Sequence, residues 1–461
     1  MRRIMMAILV TLAVAIQPAI ADGGGSVQIW KGNPYYWEYK GKPVFLLGAS
    51  DEDNLFNNPD LMMRNLETLQ KCGGNYIRCT LSCRDEGNVW PYEKVGELYD
   101  LNRFNPEFWE RLERCLKESQ KRDIIVQIEF WATFDFYREY WLENPFNPAL
   151  NSNYSTESTM LKTEWDHHPA SKPQPFFHSP PQLNDDKVLR AFQEAFVRKV
   201  LDVSLDYPNV LYCLDNETSA PPEWPWYWAE FIRKEVEKRG ASIELTEMWD
   251  DHDLRGQQHK ATYEHPELFS FVDISQNNWQ SEQTHYDRIM WMRGILPQNG
   301  GIRPMNNVKV YARTGKPETD LEITKDRWWQ NIFAGCASTR FHRPAGGIGL
   351  SQDAQIRIKA AREFTSQFDI FRCEPRNDLL SQRQENEAHC LADPGKVYAV
   401  YLPRGGDILL SIENPDRRLK LSWFDPMTST FHEAVDVTDE SSVRLKSPNT
   451  DHEWCVLLRV W

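Results

Sequence analysis

The run Leu211-Tyr212-Cys213-Leu214-Asp215-Asn216-Glu217 carries the strongest chemical signal in the chain. A short continuous apolar run reads as a buried strand, and this one ends directly in an Asn-Glu pair. At the C-terminal end of a parallel barrel strand, both side chains project to the rim where active sites form. A carboxylic acid so placed can protonate a leaving oxygen, as cleavage of a glycosidic bond requires, while a second carboxylate works from the other side of the sugar. Glu217 suits the acid role, and Asn216 can bind a substrate hydroxyl and orient the glutamate. Asn216-Glu217-Thr218 also matches a glycosylation sequon, which we take as accidental.

The second carboxylate has several candidates. Glu318 follows the seventh candidate strand, Glu247, Asp250 and Asp251 end the fifth, Glu129 lies in the third, and Asp51 and Asp53 follow the first. Glu318 and Glu247 lead; the ordinary alternative for each is a salt-bridged rim residue. Period-two alternation turns Gln127, Glu129 and Trp131 into the barrel, and likewise Lys309, Tyr311 and Arg313. For Glu247 it is ambiguous, because Ile243 and Leu245 share its parity.

Inward Lys309, with Arg78, Arg313 and Arg343, makes a positive pocket in an acidic protein. Either the substrate carries a carboxylate or sulfate, as a uronic acid does, or these cations pair internally with Glu129, Glu217 or Asp215. Trp131 and Trp249 end strands and could stack on sugars. His342-Arg343 ends the eighth strand, where a substrate contact and a satisfied core histidine are both open. Asp166-His167-His168 and Trp249-Asp250-Asp251-His252-Asp253 hold metal-capable groups without ligand spacing, so they read as solvated loops; no metal or cofactor is expected.

The elements that must position these residues alternate short apolar runs with longer amphipathic ones, the pattern of parallel strands joined by crossover helices. Candidate strands are 43–48, 75–81, 124–130, 209–214, 242–247, 271–275, 308–312 and 337–341, the number that closes a (β/α)₈ TIM barrel. The clearest helix is 106–121, with Asn105 as N-cap, Pro106 in its first turn, and Phe108, Leu112, Cys115 and Leu116 on one face. A second runs over 186–206 after the candidate cap Asn184, with Val188, Phe192, Phe196 and Val200 on one stripe, and the last over 353–373. Residues 143–184, rich in Pro, Asn, Ser and His, form a long aperiodic segment, read as a lid or subsite wall. Beyond Pro375-Arg376-Asn377-Asp378 the texture changes to short strands at 397–402, 407–412, 418–424, 430–435 and 454–460, broken by turns such as Asn414-Pro415-Asp416: a small C-terminal all-β sandwich.

Bulk properties bound the function. Met1-Arg2-Arg3, an apolar run over Ile4–Ile16 and the small residues around Ala19-Ile20-Ala21 describe a signal peptide, residues 1–21, too short to span a bilayer. The expected division is then a barrel over 22–375 and a β-domain over 376–461, secreted or periplasmic, with no membrane anchor after cleavage. Net charge is −14, more negative still once Arg2 and Arg3 are removed, which disfavours nucleic acid as a partner. Nine scattered cysteines read mostly as buried small hydrophobes. Many of the 18 tryptophans, Trp131, Trp141, Trp165, Trp224, Trp226, Trp228, Trp249, Trp279 and Trp291 among them, fall in apparent loops, which favours a carbohydrate partner.

The Asn216-Glu217 pair at the fourth strand resembles the acid/base motif of the clan A glycoside hydrolases. Lys42-Pro43-Val44-Phe45-Leu46-Leu47-Gly48 resembles the opening of the apiosidase-like branch of that clan, and Asn75-Tyr76-Ile77-Arg78 its second strand, whose arginine lies in the active site. Tyr398-Ala399-Val400-Tyr401-Leu402-Pro403 and Trp423-Phe424-Asp425-Pro426 resemble the β-domain, sometimes called collagen-binding, that follows the barrel there. The resemblance implies a glycosidase acting on a complex saccharide; the signal segment points to its export, and a uronic acid in that saccharide would suit the cationic pocket. One departure is plain: relatives carry a second catalytic glutamate on the seventh strand, where Asn306-Asn307-Val308-Lys309-Val310-Tyr311 offers lysine. Inversion or an unusual nucleophile therefore stays open. So do a carbohydrate-binding protein with a decayed barrel, and a polysaccharide lyase with Lys309 or Tyr311 as base.

Overall fold

Each short apolar run is buried on both faces and returns through a helix, so the strands pair in parallel. The computed structural model describes residues 25–413, 418–437 and 441–460; the candidate signal segment and the turn at Asn414-Pro415-Asp416 lie outside the described residues. The strands are β1 (Leu46–Ala49), β2 (Tyr76–Thr80), β3 (Ile125–Ala132), β4 (Val210–Thr218), β5 (Leu245–Trp249), β6 (Val272–Asp273), β7 (Met305–Val310) and β8 (Ser338–Phe341). They pair in the order β5-β4-β3-β2-β1-β8-β7-β6. The two ends meet where Ser270 N donates to Leu245 O (2.9 Å) and Thr246 Oγ1 to Phe271 O (2.8 Å), which closes the barrel. At Gly48 a Cβ would lie 2.0 Å from Tyr76 O, so only glycine lets β1 and β2 approach this closely.

Two strands have bounds that alternation does not give. The fifth begins later than 242 and runs on to Trp249, and the sixth stops at Asp273 because its carboxylate accepts from Ser275 N (2.8 Å), starting a 3-10 turn over Ser275–Trp279. Leu46, Tyr76, Ile125, Leu211, Met248 and Val308 fill the lower barrel. Above them the interior turns polar, with Tyr76 OH donating to Gln127 Oε1 (2.6 Å) and Thr80 Oγ1 to Glu129 Oε2 (2.6 Å).

The crossover helices are α1 (Pro59–Lys71), α2 (Pro106–Gln120), α3 (Lys187–Ser204), α4 (Glu223–Lys238), α5 (Gln257–Tyr263), α6 (Glu282–Ile295), α7 (Pro317–Phe333) and α8 (Gln352–Thr365). Asn105 caps α2 through Glu107 N (3.1 Å), and its buried face is the expected one. For α3 the cap is Asp186, which accepts from Leu189 N (3.0 Å), and Asn184 lies outside the helix. The buried stripe of α3 is rotated from expectation: Val188 is exposed, and Gln193 takes a core place because its amide donates to Phe176 O (2.9 Å) of the long segment. The last helix ends at Thr365, and Ile370–Arg372 forms a separate turn capped by Asp369.

Beyond the barrel, a sheet centred on Val397–Leu402, Trp454–Val460 and Leu419–Asp425 packs on a three-stranded sheet of Leu380–Ser381, Asp407–Ser411 and Ser442–Lys446. Tyr398, Val400, Ile408, Leu410, Leu445 and Val456 fill the space between them as a sandwich core. The sandwich sits on the barrel helices through stacked Trp329 and Tyr401 (5.5 Å) and an ion pair of Arg357 with Glu453 (2.8 Å), both only 1–2 % exposed. Removing one member of such a pair strands the other charge. Glu453→Gln is therefore expected to cost about 3 kcal/mol in urea unfolding. An unchanged midpoint would mean that this pair does not hold the two parts together.

Candidate active site

At the C-terminal end of the barrel opens a cavity of about 510 Å³. The end of β4 supplies its centre. Glu217 has φ +65°, a left-handed conformation that a non-glycine residue adopts at a cost of about 1–2 kcal/mol. The turn breaks strand alternation, so that Asn216 and Glu217 both line the cavity. Glu217 reaches across the barrel to β7, where the Lys309 ammonium donates to Glu217 Oε1. Lys309 is 2 % exposed and Glu217 15 %, so this pair is largely withdrawn from water while the carboxylate keeps one face open.

Burial pushes the Glu217 carboxyl up, but Lys309, then Arg78 and Gln276, outweigh it and bring its pKa down to about 2. The other accessible carboxylate is Asp250 at the end of β5, 19 % exposed, with Ser219 Oγ donating to it (3.2 Å) and His168 Nε2 at 4.0 Å. Burial raises the Asp250 pKa, and the negative Glu217 raises it further. Two carboxylates on one cavity are thus driven apart in acidity, Glu217 downward and Asp250 upward.

The floor on the β1 side is an ion cluster around Asp53, 2 % exposed, within 3.2 Å of Arg78, 3.7 Å of Arg84, 3.8 Å of Arg340 and 3.4 Å of Arg343. Burial would raise its pKa, but the charges of Arg78, Arg340 and Arg343 hold it well below the usual range. His342 is kept neutral by burial, reinforced by Arg78 and Lys309. Phe134, Tyr137 and His168 form one aromatic wall, and Trp279, Tyr311 and His252 the opposite one. Burial, with Glu217 nearby, raises the Tyr311 phenol to about 12, so it stays protonated at neutral pH.

Of the residues singled out from sequence, Arg78, Asn216, Glu217, Asp250, Lys309, His342 and Arg343 meet on this cavity. Glu129 lies beneath it, facing Arg78 (3.5 Å). Asp51 is turned away, accepting from Asn65 Nδ2 (2.8 Å) and Leu350 N (2.9 Å) to pin a loop. Glu318 is exposed in the first turn of α7, outside the cavity, because the chain after β7 runs outward before that helix starts. Glu247 is fully buried below the cavity, where Met248 N donates to it (3.0 Å) and burial next to Asp215 raises its pKa well above normal.

Trp131 and Trp249 also lie off the cavity. Alternation fails at the end of β3, and Trp131 packs against Trp224 (5.3 Å) and Trp228 (4.9 Å) in the outer layer. Trp249 is 1 % exposed, its indole donating to Thr262 Oγ1 (2.8 Å). The internal pairing of Arg78, Arg343 and Lys309 accounts for three of the four cations expected to make a positive pocket. Arg84, Tyr137, Arg138, Tyr140 and Gln276 are lining residues that sequence reasoning did not select. Arg84 lies in the loop just after β2, so its place past a strand's C-terminal end was the available signal. The segment 143–184 supplies one lining residue, His168.

Residues 375–459 match the family model described as "Putative collagen-binding domain of a collagenase". None of the curated proteins compared matches the chain. Among solved structures, one named "Glycoside hydrolase" is similar with a TM-score of 0.63 at 10% identity, covering 95% of this chain and 97% of its own. A glycoside hydrolase family 5 protein from Bacteroides vulgatus has a TM-score of 0.63 at 12% identity, with 95% and 94% covered. An alpha-amylase from Geobacillus thermoleovorans reaches 0.54 at 12% identity, with 90% and 98% covered. The chain thus has the fold of these glycoside hydrolases along almost its whole length, an eight-stranded parallel barrel followed by a C-terminal β-sandwich.

Proposed function

We propose that this chain is a glycosidase, with Glu217 as the ionised carboxylate and Asp250 as the proton donor. The carrying observation is the opposed acidity of these two carboxylates on one cavity, the division of labour that glycosidic cleavage needs. Glu217 then serves as nucleophile or as base for water rather than as acid, since a group titrating near 2 holds no proton at neutral pH. Support also comes from a polar cavity with aromatic walls and from a fold shared with glycoside hydrolases. The family 5 likeness and the motifs at 42–48 and 75–78 favour a clan A enzyme, of the apiosidase-like branch, acting on fragments of plant, algal or other complex polysaccharides. The start Met1-Arg2-Arg3 with its apolar run supports export, with residues 22–375 as catalytic domain and 376–461 as β-domain. No helix among the described residues is long and apolar enough to cross a membrane.

A negatively charged saccharide is favoured because six basic side chains, Arg78, Arg84, Arg138, Lys309, Arg313 and Arg343, line the cavity against three carboxylates, Asp53, Glu217 and Asp250. The test is a panel of neutral and anionic oligosaccharides with the product anomer followed by NMR: retention makes Glu217 the nucleophile, inversion the base. One observation favours a second reading, a non-catalytic carbohydrate-binding protein: Lys309 stands where relatives carry the second glutamate and occupies Glu217. Binding without turnover across the panel would select it. Unsaturated products would select a lyase, against which the high pKa of Tyr311 argues.

For Asp250 the sign is set by its raised pKa: a proton donor is active below its pKa, so kcat/KM should fall as pH rises through it. Asp250→Asn should slow hydrolysis of sugar leaving groups by about 10²–10⁴-fold, yet barely affect aryl glycosides whose leaving group needs no proton. Equal losses on both substrate types would remove Asp250 from the acid role.

A further inference from the structure

We infer that the cavity selects its substrate by halves. The wall at the ends of β1, β2 and β8 takes the carboxylate or sulfate of an anionic sugar, with Arg84 as the selecting residue, and Trp279 on the wall after β6 stacks the neighbouring sugar ring. This rests on the glycosidase reading for its substrate class.

The first half of the argument is a charge imbalance. One carboxylate, Asp53, is shared among four guanidiniums. Three of these have further partners: Arg78 faces Glu129 (3.5 Å), Arg343 binds Asp85 (3.1 Å), and Arg340 donates to Val308 O (2.7 Å). Among the described residues Arg84 pairs only with Asp53, at 3.7 Å, too long for a hydrogen bond. Its side chain is 7 % exposed, it lines the cavity, and its Nε and Nη1 have no hydrogen-bond partner among the described residues. Asp135, which also feels this charge, is engaged by Ser82 Oγ (2.8 Å). The guanidinium lies over the Phe134 ring (5.5 Å), held in place rather than free to swing into solvent. A buried cation short of partners is unfavourable until an anion arrives, and a planar guanidinium suits a carboxylate or sulfate.

The second half is an exposed ring. Trp279 follows β6, 47 % exposed, its indole donating to Gln276 Oε1 (3.1 Å) and one face against His252 (4.7 Å). An oriented tryptophan at a cavity lip offers a flat apolar surface of the kind that a sugar face covers. Around the barrel β2, β1 and β8 are contiguous and β7 and β6 follow β8, so the cationic and aromatic walls adjoin around one cavity, with Tyr311 and His342 in ring contact (5.2 Å) where they meet.

The experiment is calorimetric titration of the full chain with hydrolysis-resistant, S-linked trisaccharides in three forms: uronate-containing, sulfated and neutral. The parent should bind one anionic form about tenfold or more tighter than the neutral one, and which form does so distinguishes carboxylate from sulfate. Arg84→Gln should erase that preference without changing neutral binding or the melting temperature, and Arg84→Lys should restore part of it. Trp279→Ala should weaken every form alike, by about tenfold. Equal binding of charged and neutral forms by the parent, or a preference that survives Arg84→Gln, overturns the inference. Arg84-dependent preference in a chain that turns nothing over would sink the glycosidase reading and leave this one standing; turnover of neutral glycans with no preference would do the reverse.

Discussion

Glu217→Gln is expected to lower kcat on the order of 10³-fold while saccharide binding stays within about twofold. The substitution keeps the side chain's shape and removes only its charge, so the cavity should still accept the same ligand. What is lost is the carboxylate that attacks or activates water, and no other lining carboxylate matches it: Asp53 is consumed by its arginines, and burial together with the Glu217 charge shifts Asp250 toward its protonated form. The variant also leaves Lys309, 2 % exposed, without its anion, so a drop in stability should accompany the drop in rate. The double variant Glu217→Gln with Lys309→Met separates the two effects, because stability should return and turnover should not. Turnover retained in the single variant would remove Glu217 from the chemistry.

Lys309→Met should move the acid side of the activity profile. In the parent the Glu217 pKa is depressed to about 2 from 4.5, so the pair's stabilisation is fully present above about pH 4.5 and is lost as pH falls through 2. A depression of that size corresponds to about 3 kcal/mol at neutral pH. Without the ammonium, burial opposes only Arg78 and Gln276, and the carboxyl titrates at a higher pH. The expected result is an acid limb in kcat/KM that the parent lacks above pH ~3, together with a chain less stable at neutral pH by about 3 kcal/mol. A profile and an unfolding midpoint both like the parent's would show that Lys309 does not hold Glu217 ionised.

These expectations reverse one sequence-based assignment and keep another. Reading Asn216-Glu217 as the chemical centre needed only a local pattern, an apolar strand ending at a barrel rim, and Glu217 does line the cavity. Reading Glu217 as the acid needed its protonation state. That state is decided by Lys309, 92 residues away, and no local pattern reports it. Arg84 was overlooked for a similar reason: its importance lies in Asp53, at the end of β1, being shared with three other arginines, and the four come from the ends of β2 and β8. Glu318 looked close to the expected place by counting along the chain, but the helix that starts at Pro317 carries it to the surface.

By itself, the sequence determined the eight-stranded barrel, the β-sandwich after it, and the rim that holds the chemistry. Those follow from side-chain periodicity within ten or twenty residues and from the rule that strand ends gather at one face. Only the tertiary structure decided which carboxylates share the cavity, in which direction each is shifted in acidity, and which cation is short of partners. The physical reason is that burial and charge act through space, between groups that the chain brings together only once the barrel has closed.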